Sequence, residues 1–253
     1  MFNIEHYLDS LPEDIEEIYV SHRHITKLDV SRFKNLQKLH CSDSRISYLH
    51  LNANLRALYC YNNHLACLHL NENLETLYCE NNHLTSLHLN KNLQLLNCSG
   101  NELTSLHLNE KLETLSCSGN DLTSLHLNEK LKTLNCSHNQ LTCLHLNKKV
   151  EILNCSFNQL NYLYLNEQLE RIAYHNNPIY EIINGYDANI VKQRMRILNQ
   201  FRYFYYCLKF KKQLRDWLWV KIREPKIIIK YSHAYLLEHL HEDTDLDELL
   251  DNW

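Results

Sequence analysis

Eight residues spaced nineteen positions apart limit what this chain can fold into more than any other feature of it. Leu36, Leu55, Leu74, Leu93, Leu112, Leu131, Val150 and Leu169 each open a unit, and the units are near-copies of one another. The stretch from Leu93 to Lys111, LQLLNCSGNELTSLHLNEK, carries the shared pattern L-x-x-L-x-C-x-x-N-x-L-T-x-L-x-L-N-x-x. A unit that short cannot enclose a core, so it buries its apolar face against the units on either side. A fixed period near twenty residues is the mark of a solenoid.

Within a unit, strand geometry assigns directions. Side chains alternate across a strand, so the Leu and Cys at positions four and six point inward. Positions three, five, seven and eight then face outward on the other side. The thiols at Cys41, Cys60, Cys79, Cys98, Cys117, Cys136 and Cys155 share one position. In-register side chains on parallel strands point the same way, which suits neither disulfide closure nor a tetrahedral metal site. The series is expected to be a structural ladder of reduced thiols acting as small hydrophobes. The Asn at Asn63, Asn82, Asn101, Asn120, Asn139, Asn158 and Asn177 recurs in the turn after each strand. Its amide can bond the turn backbone, predicting an asparagine ladder. Arg23 and Ser44 stand in its place in the first two units, as expected of a capping end.

The segment L-x-x-L-x-C-x-x-N-x-L resembles the strand-and-turn signature of leucine-rich repeats, over roughly residues 15 to 187. That resemblance implies a parallel β-sheet on the concave face of a horseshoe and a role in protein–protein interaction. With units this short, and L-x-L-N following the signature, the horseshoe is expected to be shallow and β-rich. Nine strands at about 4.8 Å spacing give a sheet on the order of 40 Å long. The style of the repeats and of the closing REPKIIIKYSHAYLLEHLHEDTDLDELLDNW also resembles leucine-rich-repeat proteins of giant DNA viruses of the mimivirus group. This second resemblance implies work inside an infected host cell, as an adaptor.

Three segments follow. Residues 1–14 are expected to form an N-terminal cap ending near Leu11-Pro12, residues 15–187 about nine repeats, and residues 188–253 an α-helical C-terminal cap. Asp187 suits a helix N-cap, followed by an apolar stripe of Ile190, Ile197, Phe201, Phe204 and Leu208. A break is predicted near Lys211-Lys212, with a second helix ending at Pro225 and a third over about 233–241. Residues 188–230 hold twelve Lys/Arg against two Asp/Glu, whereas residues 231–253 hold seven acids and no Lys/Arg. The basic stretch, interleaved with Phe, Tyr and Trp, could take nucleic acid. The preferred reading is that its aromatics cover the solenoid end while the acidic tail neutralises its charge. The opening MFNIEHYLDS lacks the basic region of a secretory signal, and no apolar run is long enough to span a membrane. An intracellular monomer is expected.

Nothing in the motifs points to catalysis: there is no P-loop, G-x-G-x-x-G, G-x-S-x-G or H-E-x-x-H. No cofactor or metal is expected, and the partner is an unnamed protein of host or virus. His50, His69, His88, His107, His126 and His145 sit between two leucines in L-H-L, which points them outward; adjacent pairs could chelate zinc or nickel, but a solvated polar stripe is the preferred reading. The partner site is placed on the concave face of the N-terminal half. Along position five the chain carries Tyr19, His40, Tyr59 and Tyr78 before turning to Asn and Ser, and position seven carries Tyr61 and Glu80 before settling into Ser. Clustered Tyr beside charge is the composition interface hot spots favour. A tyrosine ladder that only stabilises the sheet by cross-strand stacking fits the same residues.

Overall fold

The computed structural model describes residues 3–183 and 187–209. The chain divides after Ile197 into two compact units, the first holding the solenoid. A short helix, α1 (Ile4–Asp9), comes first; Asn3 Oδ1 caps it by accepting from the His6 amide at 3.1 Å, and Leu8 is its buried residue.

Thirteen three-residue strands follow. Two units carry a strand on each side: β1 (Glu17–Tyr19) and β2 (Lys27–Asp29), then β3 (Lys38–His40) and β4 (Tyr48–His50). Four units then carry one each, β5 (Ala57–Tyr59), β6 (Thr76–Tyr78), β7 (Leu95–Asn97) and β8 (Thr114–Ser116), and the next opens with β9 (Thr133–Asn135). The end repeats the start, with β10 (Cys143–His145), β11 (Ile152–Asn154), β12 (Tyr162–Tyr164) and β13 (Arg171–Ala173). Strands β1-β3-β5-β6-β7-β8-β9-β11-β13 form one nine-stranded sheet, and the six pairs from β3 to β11 are parallel with partners nineteen residues apart, as Leu58↔Leu77 and Leu77↔Leu96. On the far side β2 pairs with β4 and β10 with β12, both parallel, while the corresponding segment of the intervening units carries no regular strand. The convex side is thus extended, as the L-x-L-N spacing predicts.

The core is one repeated set. In the unit from Leu93, the residues Leu93, Leu96, Cys98, Leu103 and Leu106 are buried, and the same positions are buried in the neighbouring units. The L-H-L segment differs from expectation: its second leucine is only half-buried, both where the segment is irregular, as at Leu108, and where a strand runs up to it, as at Leu146 and Leu165.

Polar order comes from asparagine, in two ladders. Asn101 Nδ2 donates to the carbonyl of Cys79 in the preceding unit (3.1 Å) and of Cys98 in its own (3.0 Å), and Oδ1 accepts from the Leu84 amide (3.0 Å). Asn82 and Asn120 do the same one unit away, so each of these buried Cys carbonyls accepts from two amides. The second ladder was not foreseen. Asn71, Asn90, Asn109, Asn128, Asn147 and Asn166, from L-x-L-N, each donate to the carbonyl that opens their own unit and to the matching Asn carbonyl of the unit before; Asn109 Nδ2 bonds the Leu93 carbonyl at 2.9 Å and reaches that of Asn90.

The turn after each sheet strand needs a left-handed residue. Position eight supplies it at His22, Asp43, Asn62, Asn81, His138, Phe157 and Asn176, all at φ of 52° to 57°, and at Gly100 and Gly119. Asn, Asp and Gly bear that conformation at least cost.

Two further helices follow, α2 (Pro178–Ile183) and α3 (Ala188–Lys209). Asp187 Oδ1 caps α3 by accepting from the Asn189 and Ile190 amides at 2.9 and 3.0 Å. The buried face of its first turns departs from the predicted stripe: Val191 and Met195 are buried while Ile190 and Ile197 stay about half exposed. An i, i+4 pair on one side of the helix packs inward, and Lys192 Nζ reaches the carbonyls of Glu167 and Leu169. The predicted break at Lys211-Lys212 and the two later helices fall outside the described residues.

Candidate functional site

The outward face of the nine-stranded sheet changes character between β6 and β7. Up to β6, position five forms a continuous column of rings. Tyr19 and His40 stack with centroids 4.4 Å apart and planes 11° from parallel; His40 and Tyr59 follow at 4.4 Å and 4°. Tyr59 and Tyr78 continue at 5.2 Å and 13°. The strands cause this: in-register parallel pairing puts Tyr19↔His40, His40↔Tyr59 and Tyr59↔Tyr78 opposite one another at strand spacing. Such spacings leave no room for a flat group to slide between the inner rings, so the column presents edges and hydroxyl tips to solvent.

Carboxylates flank the column on both sides. At its start the Tyr19 hydroxyl bonds Glu17 and holds that carboxyl below its ordinary value, helped by His40, whose Nε2 lies 3.1 Å from Glu17 Oε1. Lys38 Nζ stands 3.9 Å from the same oxygen. At the other end sits Glu80, half-buried, whose Oε2 is buried without a hydrogen-bond partner. Burial pushes this carboxyl above its ordinary value. Tyr61, at position seven of the preceding unit, is half-buried, and its carbonyl accepts from the Asp43 amide at 3.0 Å.

From β7 onward the face satisfies itself. Ser99 Oγ donates to Asn97 Oδ1 at 2.8 Å and lies 2.8 Å from Ser116 Oγ, and Ser137 Oγ donates to Asn135 Oδ1 at 2.9 Å. These Asn and Ser side chains carry no charge, and the exposed Arg171 of β13 stands at the far end of the face. The structure therefore brings together Tyr19, His40, Tyr59 and Tyr78 in one column, with Tyr61 and Glu80 on the adjoining position-seven line.

The ladder cysteines have no reactive character. Burial pushes all seven thiols far above their ordinary value, Cys155 to about 12, and all are free, as are the exposed Cys67 and Cys143. Among the described residues no group of three or more His, Cys, Asp or Glu could hold a metal ion. The six L-H-L histidines are exposed and no two of their rings stack; His145 stacks instead on Tyr164 at 4.3 Å. A second ring cluster went unforeseen: His138 stacks on Phe157 at 4.2 Å, and Phe157 meets His175 edge-on at 5.2 Å. Its signal was the left-handed position, where Phe157 replaces the usual Asn or Gly.

Solved structures with the same architecture decide the fold. The chain is similar to YopM of Yersinia pestis, described as a leucine-rich effector protein, at 30% identity and TM-score 0.62 over 66% of this chain and 50% of that one. It is similar to the functional domain of InlJ from Listeria monocytogenes, described as including a cysteine ladder, at 31% identity and TM-score 0.51 over 64% and 44%. The fold is a leucine-rich-repeat solenoid. The leucine-rich repeat domain of APL1 shares it at TM-score 0.58 and 24% identity, over 65% of this chain and 50% of that one. The chain spans about half the length of these leucine-rich-repeat chains. No protein-family profile and no curated protein matches it. Leucine-rich-repeat neighbours of this kind are generally protein-interaction modules. No described helix is long and apolar enough to cross a membrane. Most of the basic aromatic stretch considered for nucleic acid, from residue 210 on, lies outside the described residues.

Proposed function

We propose that this protein is a non-enzymatic interaction module that binds one protein partner across the outward face of β1, β3, β5 and β6. One observation carries the reading. The four-ring column of Tyr19, His40, Tyr59 and Tyr78 is bounded by the half-buried Glu80, one of whose carboxylate oxygens is buried without a hydrogen-bond partner, whereas Asn and Ser of the following strands bond one another. Rings already fixed by stacking lose little rotamer entropy on binding, and their hydroxyls suit a wet interface. A ladder built only for stability needs no unpaired carboxylate beside it, because an unmet buried polar group costs stability.

The partner belongs to an infected host cell or to the virus itself, the chain acting there as a monomeric cytoplasmic adaptor. The likeness of the repeats and tail to giant-virus proteins supports this, as do seven buried free thiols, which fit a reducing compartment. Affinity capture from infected cells with wild type and the triple variant Tyr59→Ala, Tyr61→Ala, Tyr78→Ala tests the reading. The variant loses the captured partner; a variant that keeps every partner refutes it.

A further inference from the structure

The column ends abruptly at Tyr78. Each inner ring is covered on both faces, His40 by Tyr19 and Tyr59, and Tyr59 by His40 and Tyr78. Tyr78 is covered by Tyr59 alone: its register partner on β7 is Asn97, which has no ring. The Asn97 Oδ1 is engaged along its own strand line, accepting from the Ser99 amide at 3.2 Å and the Ser99 hydroxyl at 2.8 Å. The step from Tyr78 to Asn97 thus leaves one aromatic face of the column without a stacked ring.

Glu80 stands two residues along the same strand line, about 6.7 Å from Tyr78 by strand rise. Alternation puts both on one face. The outward positions around it hold no cation: Ala57, Tyr59 and Tyr61 precede, Thr76 and Tyr78 share its rung, and Leu95, Asn97 and Ser99 follow. Asn97 and Ser99 spend their bonds on each other. One carboxylate oxygen has lost water and gained nothing.

Resting on the interaction-module reading, we propose that this step is an arginine-anchor site. A guanidinium from an extended segment of the protein partner stacks on the face of Tyr78 away from Tyr59 and pairs with the Glu80 carboxylate. The chemistry favours arginine over lysine. A planar guanidinium stacks on a ring and forks to a carboxylate in the same pose, whereas a compact ammonium makes one contact at a time and sheds its water reluctantly. The pair also sets a cation beside a half-buried carboxylate whose charge burial disfavours.

The test uses the full chain, nitrogen-15 labelled, titrated with N-acetyl-arginine amide, N-acetyl-lysine amide and the uncharged N-acetyl-norleucine amide. The arginine probe shifts the backbone amides of Tyr78, Glu80 and Asn97, the lysine probe shifts them far more weakly, and the norleucine probe leaves them in place. Glu80→Gln and Tyr78→Ala each weaken the arginine response about tenfold or more, a loss of about 1.4 kcal/mol. Equal binding of the arginine and norleucine probes, or an unchanged response in Glu80→Gln, overturns the anchor. Partner capture separates the two proposals. If Glu80→Gln keeps the partner that the triple tyrosine variant loses, the anchor is wrong and the docking face stands. If the triple variant keeps the partner, the docking face fails and takes the anchor with it.

Discussion

Replacing Asn101 by Ala measures what the buried asparagine ladder is worth. Its amide serves the carbonyls of Cys79 and Cys98, and its oxygen serves the Leu84 amide. The two carbonyls each keep one donor, Asn82 and Asn120. The Leu84 amide has no such reserve and is left buried and unpaired, at a cost of about 1–3 kcal/mol. Adding about 0.5–1.5 kcal/mol for the bonds lost at the carbonyls sets the total near 3 kcal/mol. Asn109, in the second ladder, makes as many bonds but is only half-buried, so water replaces part of them; Asn109→Ala is expected to cost about 1–2 kcal/mol. Urea unfolding of the full chain followed by circular dichroism reads both. Equal losses, or a loss at Asn101 under 1 kcal/mol (about the worth of one net bond), would show that the amides fill space and do not hold the turns.

Three further outcomes follow from named contacts. Gly100→Ala destabilises more than Gly119→Ala in thermal melts: both stand at positive φ, but a Cβ at Gly100 strikes Asn81 Oδ1, whereas at Gly119 it meets Gly100 at 3.5 Å, an ordinary contact; the reverse order would place the constraint elsewhere. Native labelling by a thiol reagent modifies Cys67 and Cys143 first and leaves the seven ladder thiols until unfolding; rapid modification of Cys98 would contradict their burial. The Glu80 carboxyl keeps its proton in the fold above the pH at which the unfolded chain releases it, so it lowers stability as pH rises from its ordinary 4.5 through the raised value. Glu80→Gln removes that slope and raises stability at neutral pH; a variant less stable than wild type at pH 7 would deny that the carboxylate is unpaired.

The nineteen-residue period made the sheet, its register and the buried Leu and Cys legible, because in a solenoid each position repeats its environment. The sheet carries nine strands, the number the spacing implied. The ring column was legible for the same reason, with Tyr59 and Tyr78 on adjacent strands as the spacing required. His40 as a full member of the stack was less visible, since a sequence does not show ring planes. Asn71, Asn90 and Asn109 were seen only as part of a spelling: nothing local distinguishes an amide that bonds across units from one that faces water. The Val191–Met195 face of α3 was missed because an apolar stripe counted along a helix does not say which side meets the solenoid. Glu80 stood out by position, but the burial of its Oε2 depends on side-chain packing that no repeat spacing shows.

The docking face is tested most directly by matching two destabilised variants. Losing the His40–Tyr59 and Tyr59–Tyr78 stacks in the triple tyrosine variant costs about 1–3 kcal/mol, at about 0.5–1.5 per pair. Asn101→Ala costs a similar amount from the core, away from the proposed surface. Partner capture by the two variants, with unfolding free energies measured on the same preparations, separates binding from stability. Asn101→Ala is expected to retain the partner and the triple variant to lose it. Equal retention by both, or losses that track stability alone, would contradict the docking face.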